Sequence, residues 1–208
     1  MATLHYWPIR ARNLVCEFVA AEAGIKLDRH EPAWPAFKSE THFGQLPMLQ
    51  IGDLKVSQSL AIVRVLARLG GIAGDSDADF ALSEMLIQEG EDIYLLLGKA
   101  MYGAGFPESR PAAFDALFAA EGPVARHLAH LERLATSTGD FTSRRTAGEA
   151  ALMATLFLLA DLEPAEALLS GLPKLRAFYD KRAAAATALT AGLRPYFRRE
   201  AVRGPDED

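Results

Sequence analysis

Two adjacent polar residues, Gln58 and Ser59, stand where a helix is predicted to begin. The apolar residues that follow recur at helical spacing and end at two glycines (Ile62, Val63, Leu66, Leu69, Gly70 and Gly71). A hydroxyl and an amide beside the free backbone N–H groups of a helix N-terminus form a site for a small carboxylate. The alternative is a polar N-cap on an ordinary helix, which uses the same residue types without a ligand.

A second candidate is Tyr6, which lies at the end of the first predicted strand, just before the first predicted helix. A hydroxyl at that place can donate a hydrogen bond to an anion, and the helix dipole with Arg10 or Arg12 would help to hold the charge. The alternative is a buried tyrosine with an incidental hydrogen bond. The residues from Tyr6 read Tyr-Trp-Pro-Ile rather than Cys-x-x-Cys, so disulfide exchange by the protein itself is not expected.

Trp34 and Lys38 lie in a proline-containing loop that is predicted to fold over the same end of the sheet as Tyr6. A lysine there could pair with a carboxylate, although most loop lysines are solvated. The single cysteine, Cys16, stands in the middle of a predicted helix, so we interpret it as a small buried filler rather than a nucleophile. The histidines show no metal-ligand spacing, and we predict no metal site.

The elements that position these residues are a small sheet with helices. Thr3–Trp7 is predicted as a strand, 10–23 as a helix and 26–30 as a strand. Residues 48–56 form a hairpin that turns at Gly52-Asp53, and Leu46-Pro47 precedes it at a place suited to a cis peptide bond. This order is typical of the thioredoxin-like arrangement.

Strand patterns vanish after a polar linker at 74–79. Helices are predicted over 78–101, 111–120, 123–138, 173–186 and 187–197, and a further apolar helix follows the capping box Thr146-x-x-Glu149. The fold class is therefore an α/β thioredoxin-like domain at 1–73 followed by an all-α domain at 80–208. The polar tail at 204–208 is predicted to be disordered.

Composition limits the function classes. The 208 residues are 50% hydrophobic and 24% charged, which is typical of a soluble globular protein. The net charge of −5 and the lack of a basic stripe argue against nucleic-acid binding. The apolar stretch around 150–160 is too short to span a bilayer, and the N-terminus lacks a secretory signal, so we expect a cytoplasmic protein without a membrane segment.

Taken together, the motifs resemble those of the cytosolic glutathione transferases, with sigma-class-like and some pi-class features. The resemblance is specific over the first 74 residues, where short motifs occur in order, and looser over the helical half. It is carried by Tyr6-Trp7-x-Ile9-Arg10-Ala11-Arg12, Trp34-Pro35-Ala36-Phe37-Lys38-Ser39, Phe43-Gly44-Gln45-Leu46-Pro47 and Gln58-Ser59-Leu60-Ala61-Ile62-x-Arg64-x-Leu66. Three departures are Ala11 in place of a common glycine, Trp7 in place of phenylalanine, and Glu149 in place of aspartate.

The resemblance implies the roles of the site residues. Tyr6 would donate a hydrogen bond to the glutathione sulfur, and Arg12 would support Tyr6 electrostatically. Trp34 and Lys38 would bind the glycyl carboxylate of the peptide. The Leu46 backbone before Pro47, with Gln45 beside it, would pair with the cysteinyl backbone. Gln58 and Ser59 would bind the γ-glutamyl carboxylate.

A homodimer is also implied, because Asp92 would reach the γ-glutamyl amine from the partner subunit, and Phe43 could be either a hydrophobic key into the partner or a core residue. The electrophile pocket would be lined by Trp7, Ile9, Tyr102 and Tyr196.

Glutathione is the expected co-substrate, and detoxification of apolar electrophiles is the expected role. The alternatives are a glutathione-dependent isomerase or peroxidase, and a non-catalytic transferase-like dimer that binds apolar ligands.

Overall fold

A computed structural model describes residues 1–201, and the predicted disordered tail lies outside the described residues. The main sheet has four strands, β1 (Ala2–His5), β3 (Leu27–His30), β4 (Met48–Ile51) and β5 (Leu54–Ser57), in the order β3-β1-β4-β5. β1 runs parallel to β3 and antiparallel to β4, and β4 and β5 form the predicted hairpin. Gly52 takes the turn at φ +56°, a conformation that glycine adopts without steric cost.

Two helices, α1 (Asn13–Glu22) and α2 (Ser59–Leu69), pack on each other beside this sheet. The loop that precedes β4 contains a 3-10 helix, Ala36–Glu40. The predicted order of strands and helices is therefore confirmed. α1 begins three residues later than predicted, because Ile9–Arg10 forms a short strand, β2, instead of the first helical turn.

The rest of the described chain is mostly helical. Its helices are α3 (Asp77–Met101), α4 (Arg110–Phe118), α5 (Pro123–Leu134), α6 (Ala147–Ala160), α7 (Ala165–Leu168) and α8 (Pro173–Leu189). α6 contacts α1, α3 and α8, and residues 147–156 are all buried, which confirms the predicted core helix. No helix within residues 1–201 is long and apolar enough to cross a membrane.

The N-terminus of α6 departs in detail from a capping box. The Thr146 side chain accepts a hydrogen bond from the Glu149 backbone N–H, as predicted. The Glu149 carboxylate instead accepts from the backbone N–H groups of Phe141 and Thr142, at 2.7 Å and 3.1 Å. It therefore fastens the preceding loop to the helix.

The predicted helix over 187–197 is wrong. α8 continues to Leu189, Gly192 takes a positive φ of +82°, and Arg194–Pro195 forms a strand, β6, that pairs in parallel with β2. The Arg10 guanidinium reinforces this pairing, because its Nε and Nη2 donate to the Asp161 carboxylate at 2.8 Å and 2.6 Å and its Nη1 donates to the Leu193 carbonyl at 3.0 Å. The C-terminal segment is thus held against the first loop.

Candidate functional site

A cavity of about 530 Å³ opens where α1, α2 and the loop before β4 meet. Its lining brings together residues that lie far apart in the sequence. They are Trp7, Arg12, Trp34, Phe43, Gly44, Gln45, Leu46, Pro47, Ser57, Gln58, Ser59, Leu60 and Glu91. Most of the residues predicted to bind the peptide therefore share one cavity.

The N-terminus of α2 forms one wall of this cavity. Gln58 occupies the N-cap position at φ +74° and ψ +118°, and no side chain caps the helix. A non-glycine residue at such a backbone angle costs on the order of 1–3 kcal/mol, and strain of this kind clusters at ligand sites. The open first-turn N–H groups and the buried Ser59 therefore suit a carboxylate, which favours the ligand interpretation over a simple polar cap.

The adjoining wall is the segment before β4, where the Leu46-Pro47 peptide bond is cis, as predicted. Leu46 precedes the strand, and no backbone hydrogen bond among the described residues involves it. Its N–H and C=O groups are therefore available to a peptide that adds on as an extra strand. Trp34 also lines the cavity, and its ring lies 5.7 Å from that of Trp7 in an edge-to-face arrangement.

Tyr6 follows β1, and its ring packs edge-to-face on Trp7 at 5.2 Å. Burial raises the pKa of the Tyr6 hydroxyl well above its usual range, while a hydrogen bond from the Arg12 backbone N–H and the charge of Arg12 lower it in part. The group is consequently a neutral phenol at neutral pH. Its oxygen accepts from Arg12, and its proton is free to be donated to an anion.

Arg12 is held on two sides. Its Nη1 donates to both carboxylate oxygens of Glu91 at 2.9 Å, and its guanidinium lies 4.4 Å from the centre of the Tyr94 ring. Glu91 comes from α3, so the helical half contributes directly to the site. The cavity wall therefore contains a neutral ion pair rather than a free cation.

Comparisons with known proteins agree with this geometry. The family model "Glutathione S-transferase, N-terminal domain" matches residues 2–68. Hematopoietic prostaglandin D synthase of Gallus gallus is 35% identical over 96 residues, covering 45% of this chain and 48% of that protein. Glutathione S-transferase P 2 of Bufo bufo is 29% identical over 191 residues, covering 86% of each chain. The solved pi-class glutathione S-transferase of Onchocerca volvulus is similar with a TM-score of 0.73 at 25% identity, covering 88% of this chain and 94% of that one.

The chain has the glutathione transferase fold. The match with the Gallus gallus synthase spans about half the length of that relative. The family match over residues 2–68 and the structural similarity both support this fold.

Several predicted site residues lie outside the cavity lining. Lys38 is exposed on the 3-10 helix, with its stem against Gly44, and Asp92 is exposed on α3. Ile9 is only 3% exposed, within the short strand β2. The hydroxyl groups of Tyr102 and Tyr196 contact each other, and Tyr196 lies close enough to Tyr6 to affect its pKa.

Glu91 is the site residue that the sequence-based assignment missed in favour of Asp92. The inward face of α3 could have identified it, because Ile87, Gly90, Glu91 and Tyr94 follow the helical spacing i, i+3, i+4, i+7 and line a common cleft. Asp92 falls on the outward face.

Three further predictions concern other residues. Cys16 is fully buried, as expected of a filler, and burial raises its thiol pKa well above the usual range. Within the described part of the chain, no group of three or more His, Cys, Asp or Glu side chains is placed to hold a metal ion. Phe43 is 64% exposed, so its interpretation as a core residue is wrong.

Proposed function

We propose that this protein is a glutathione transferase in which Tyr6 stabilises the glutathione thiolate for attack on an apolar electrophile. The observation that carries the proposal is the convergence of Leu46-Pro47, Gln58-Ser59 and Arg12 on one cavity. Tyr6 is not part of the lining but contacts two lining residues, Trp7 and Arg12. Each of these groups suits a different part of the same tripeptide.

Glutathione would lie across the cavity in an extended conformation. Its γ-glutamyl carboxylate would accept hydrogen bonds from Ser59 and the N-terminus of α2, with Gln58 beside it. Its cysteinyl backbone would pair with the free groups of Leu46, next to Pro47 and Gln45. Its glycyl carboxylate would reach Trp34 and Lys38.

The sulfur would then lie near Tyr6. A free thiol has a pKa of about 8.5, so only a few per cent is ionised at neutral pH. Lowering that pKa by about 2 units requires about 2.7 kcal/mol of preferential binding to the thiolate. A hydrogen bond to a charged group contributes about 1.5–3 kcal/mol, so the single phenol of Tyr6 is sufficient.

The electrophile pocket would be formed by Trp7, Ile9, Tyr102 and Tyr196. Support comes from Trp7, which lines the cavity, and from the contact between the Tyr102 and Tyr196 hydroxyls near Tyr6. We also propose a division of the chain into a glutathione-binding domain at 1–73 and a helical domain at 80–208. Tyr102 and Tyr196 belong to the helical domain, which would therefore contribute to the electrophile pocket. A sigma-like class with pi-class features, a role in detoxification and a cytoplasmic location are likewise proposals.

A homodimer is proposed because it would give the exposed Asp92 a role. Phe43, Met85 and Leu95 are also exposed, at 64%, 57% and 45%. A contiguous apolar patch on a surface marks a contact with another chain, so these side chains support a dimer where they form such a patch. Asp92 would bind the γ-glutamyl amine of glutathione in the partner subunit, and sedimentation would test the dimer directly.

The test of the enzyme is conjugation of chlorodinitrobenzene with glutathione by the wild type and by Tyr6→Phe. We expect kcat at pH 7 to fall by about 10- to 100-fold, because the bound thiol would return toward its ordinary pKa. Tyr179→Phe, on α8, is the matched control and should retain wild-type kcat. Equal activity of Tyr6→Phe and wild type would refute the role of Tyr6, and glutathione binding without turnover by the wild type would refute the enzyme for this acceptor.

Isomerase or peroxidase activity is the second candidate, and the name of the Gallus gallus relative, a prostaglandin D synthase, favours testing it. The same thiolate would serve each reaction, but glutathione has a different fate. Isomerisation of an endoperoxide returns glutathione unchanged, peroxide reduction yields its disulfide, and conjugation consumes it. Measuring these three products with matched acceptors distinguishes the activities.

A further inference from the structure

We propose that Gly44 is a positioning residue for glutathione, because the absence of its side chain allows the Lys38 stem to pack against it at the edge of the cavity. This inference rests on the proposed function, in which Lys38 binds the glycyl carboxylate. Gly44 itself lines the cavity, whereas Lys38 comes from the neighbouring 3-10 helix.

The Lys38 stem lies close to Gly44. A Cβ atom added at Gly44 would meet the Lys38 stem, with Cε at 3.0 Å, Cγ at 3.4 Å and Cδ at 3.8 Å. Three carbons of the stem therefore pass directly over the glycine, and the one that bears the ammonium group comes nearest. A Cβ atom at this position would be closer to the end of Lys38 than ordinary van der Waals contact allows, so the lysine would have to shift by at least a few tenths of an ångström.

The ammonium group itself is available to a ligand. No ion pair or hydrogen bond of the Lys38 side chain occurs among residues 1–201. An exposed lysine normally loses rotamer freedom when it binds an anion. Packing of the stem on Gly44 restricts that freedom in advance, so the cation is held where the glycyl carboxylate would lie.

Gly44 also has a positive φ of +64°, so a substitution there affects the backbone as well as the contact. Gly52 provides a matched control, because it has a φ of +56° and a Cβ added there would meet nothing within 4 Å. An alanine at either position experiences similar backbone strain, but only the one at Gly44 encounters Lys38. Gly44→Asn is a second variant, since asparagine tolerates this backbone conformation better than alanine.

The readout is equilibrium binding of glutathione by tryptophan fluorescence, which suits this chain because both of its tryptophans, Trp7 and Trp34, line the cavity. We expect Gly44→Ala and Gly44→Asn to raise the Kd by roughly three- to tenfold, while Gly52→Ala leaves it unchanged. Lys38→Met should raise the Kd by about tenfold, and Gly44→Ala should then have no further effect. The glycine ethyl ester of glutathione, which lacks the terminal charge, should bind all variants with similar Kd.

The outcomes separate the inference from the function. If Lys38→Met weakens binding but Gly44→Ala and Gly44→Asn match Gly52→Ala, the positioning role is refuted and the proposed site stands. If the effect of Gly44→Ala persists with Lys38→Met, the glycine acts on the Gln45-Leu46 backbone instead, which also refutes the inference. If Lys38→Met binds glutathione normally, the role of Lys38 fails along with the inference, while the Tyr6→Phe assay still tests the enzyme by itself.

Discussion

The ion pair between Arg10 and Asp161 joins the first loop to the end of α6, and Asp161→Asn would break it with little change in shape. Asp161 is the C-cap of α6, where a carboxylate is unfavourable because the helix dipole is negative at that end. The two hydrogen bonds from Arg10 offset this cost. The substitution would remove the negative charge and replace one carboxylate oxygen by an NH2 donor, so Arg10 would keep the Leu193 carbonyl and one amide oxygen as acceptors but would have no counter-charge among these contacts.

The size of the expected stability loss follows from the burial of the Arg10–Asp161 pair, whose side chains are 17% and 11% exposed. Removing one partner of a fully buried pair costs about 3–5 kcal/mol, because the other charge stays buried without compensation. Since both side chains retain some contact with solvent, we expect a loss of about 2–4 kcal/mol in the free energy of unfolding. For a chain of this length, that corresponds to a fall in Tm of roughly 5–15 °C.

Thermal unfolding followed by circular dichroism measures the effect. Asp180→Asn removes an ion pair with Arg176 on the surface of α8 and is the control, with an expected change in Tm of less than about 2 °C. The double variant Arg10→Met with Asp161→Asn should be less destabilised than the sum of the two single variants, because it leaves no unpaired buried charge. Equal Tm values for Asp161→Asn and Asp180→Asn, or strict additivity in the double variant, would refute the reasoning.

Two further predictions concern buried titratable groups. Burial, and then the charge of His30, lowers the pKa of His5, so the folded state binds fewer protons than the unfolded state below about pH 6.5. The free energy of unfolding should therefore fall as the pH drops from about 6.5 through the lowered pKa. The urea midpoint of His5→Gln should depend less steeply on pH than that of the wild type. Equal pH dependence of the two midpoints would contradict this role of His5. Cys16 should react with a thiol reagent only as fast as the protein unfolds, because its side chain is buried. Cys16→Ala is the blank for this measurement. Rapid labelling of the native protein would contradict the burial of Cys16.

The parts of the fold that could be predicted from sequence are those with local causes. The hairpin follows from the Gly52-Asp53 turn between two short apolar runs, and α2 follows from its helical spacing between Gln58 and Gly70. The cis bond before Pro47 was also predicted, because a proline there precedes a strand at a sharp change of direction. In each case the determining residues lie within a few positions of one another.

The pairing of β2 with β6 had no such local signal. Each strand has only two residues, and the contact joins Ile9 to Arg194 across almost the whole chain. Two residues are too few to show a strand alternation, so the alanine-rich sequence before them favoured another helix. The pairing depends on Arg10, whose partner Asp161 could be recognised only after α6 had been placed.

The preference for Asp92 over Glu91 has a different cause. The two acids are adjacent, and their motif does not say which one faces the cavity. The register of α3 decides the matter, because Glu91 falls on the face that contains Ile87 and Tyr94. Helical spacing applied to the acidic pair would have placed Glu91 inside the subunit and Asp92 on its surface.

The pairing of Arg12 with Glu91 also bears on which group can stabilise a thiolate. A guanidinium that is bound to a carboxylate at 2.9 Å and stacked on Tyr94 carries little net field into the cavity, since the two opposite charges nearly cancel there. The Arg12 backbone N–H, by contrast, orients the Tyr6 oxygen. In the proposed mechanism Arg12 would therefore act mainly through Tyr6, whose phenol remains protonated because burial raises its pKa. The glutathione sulfur would then depend on that one proton for its stabilisation.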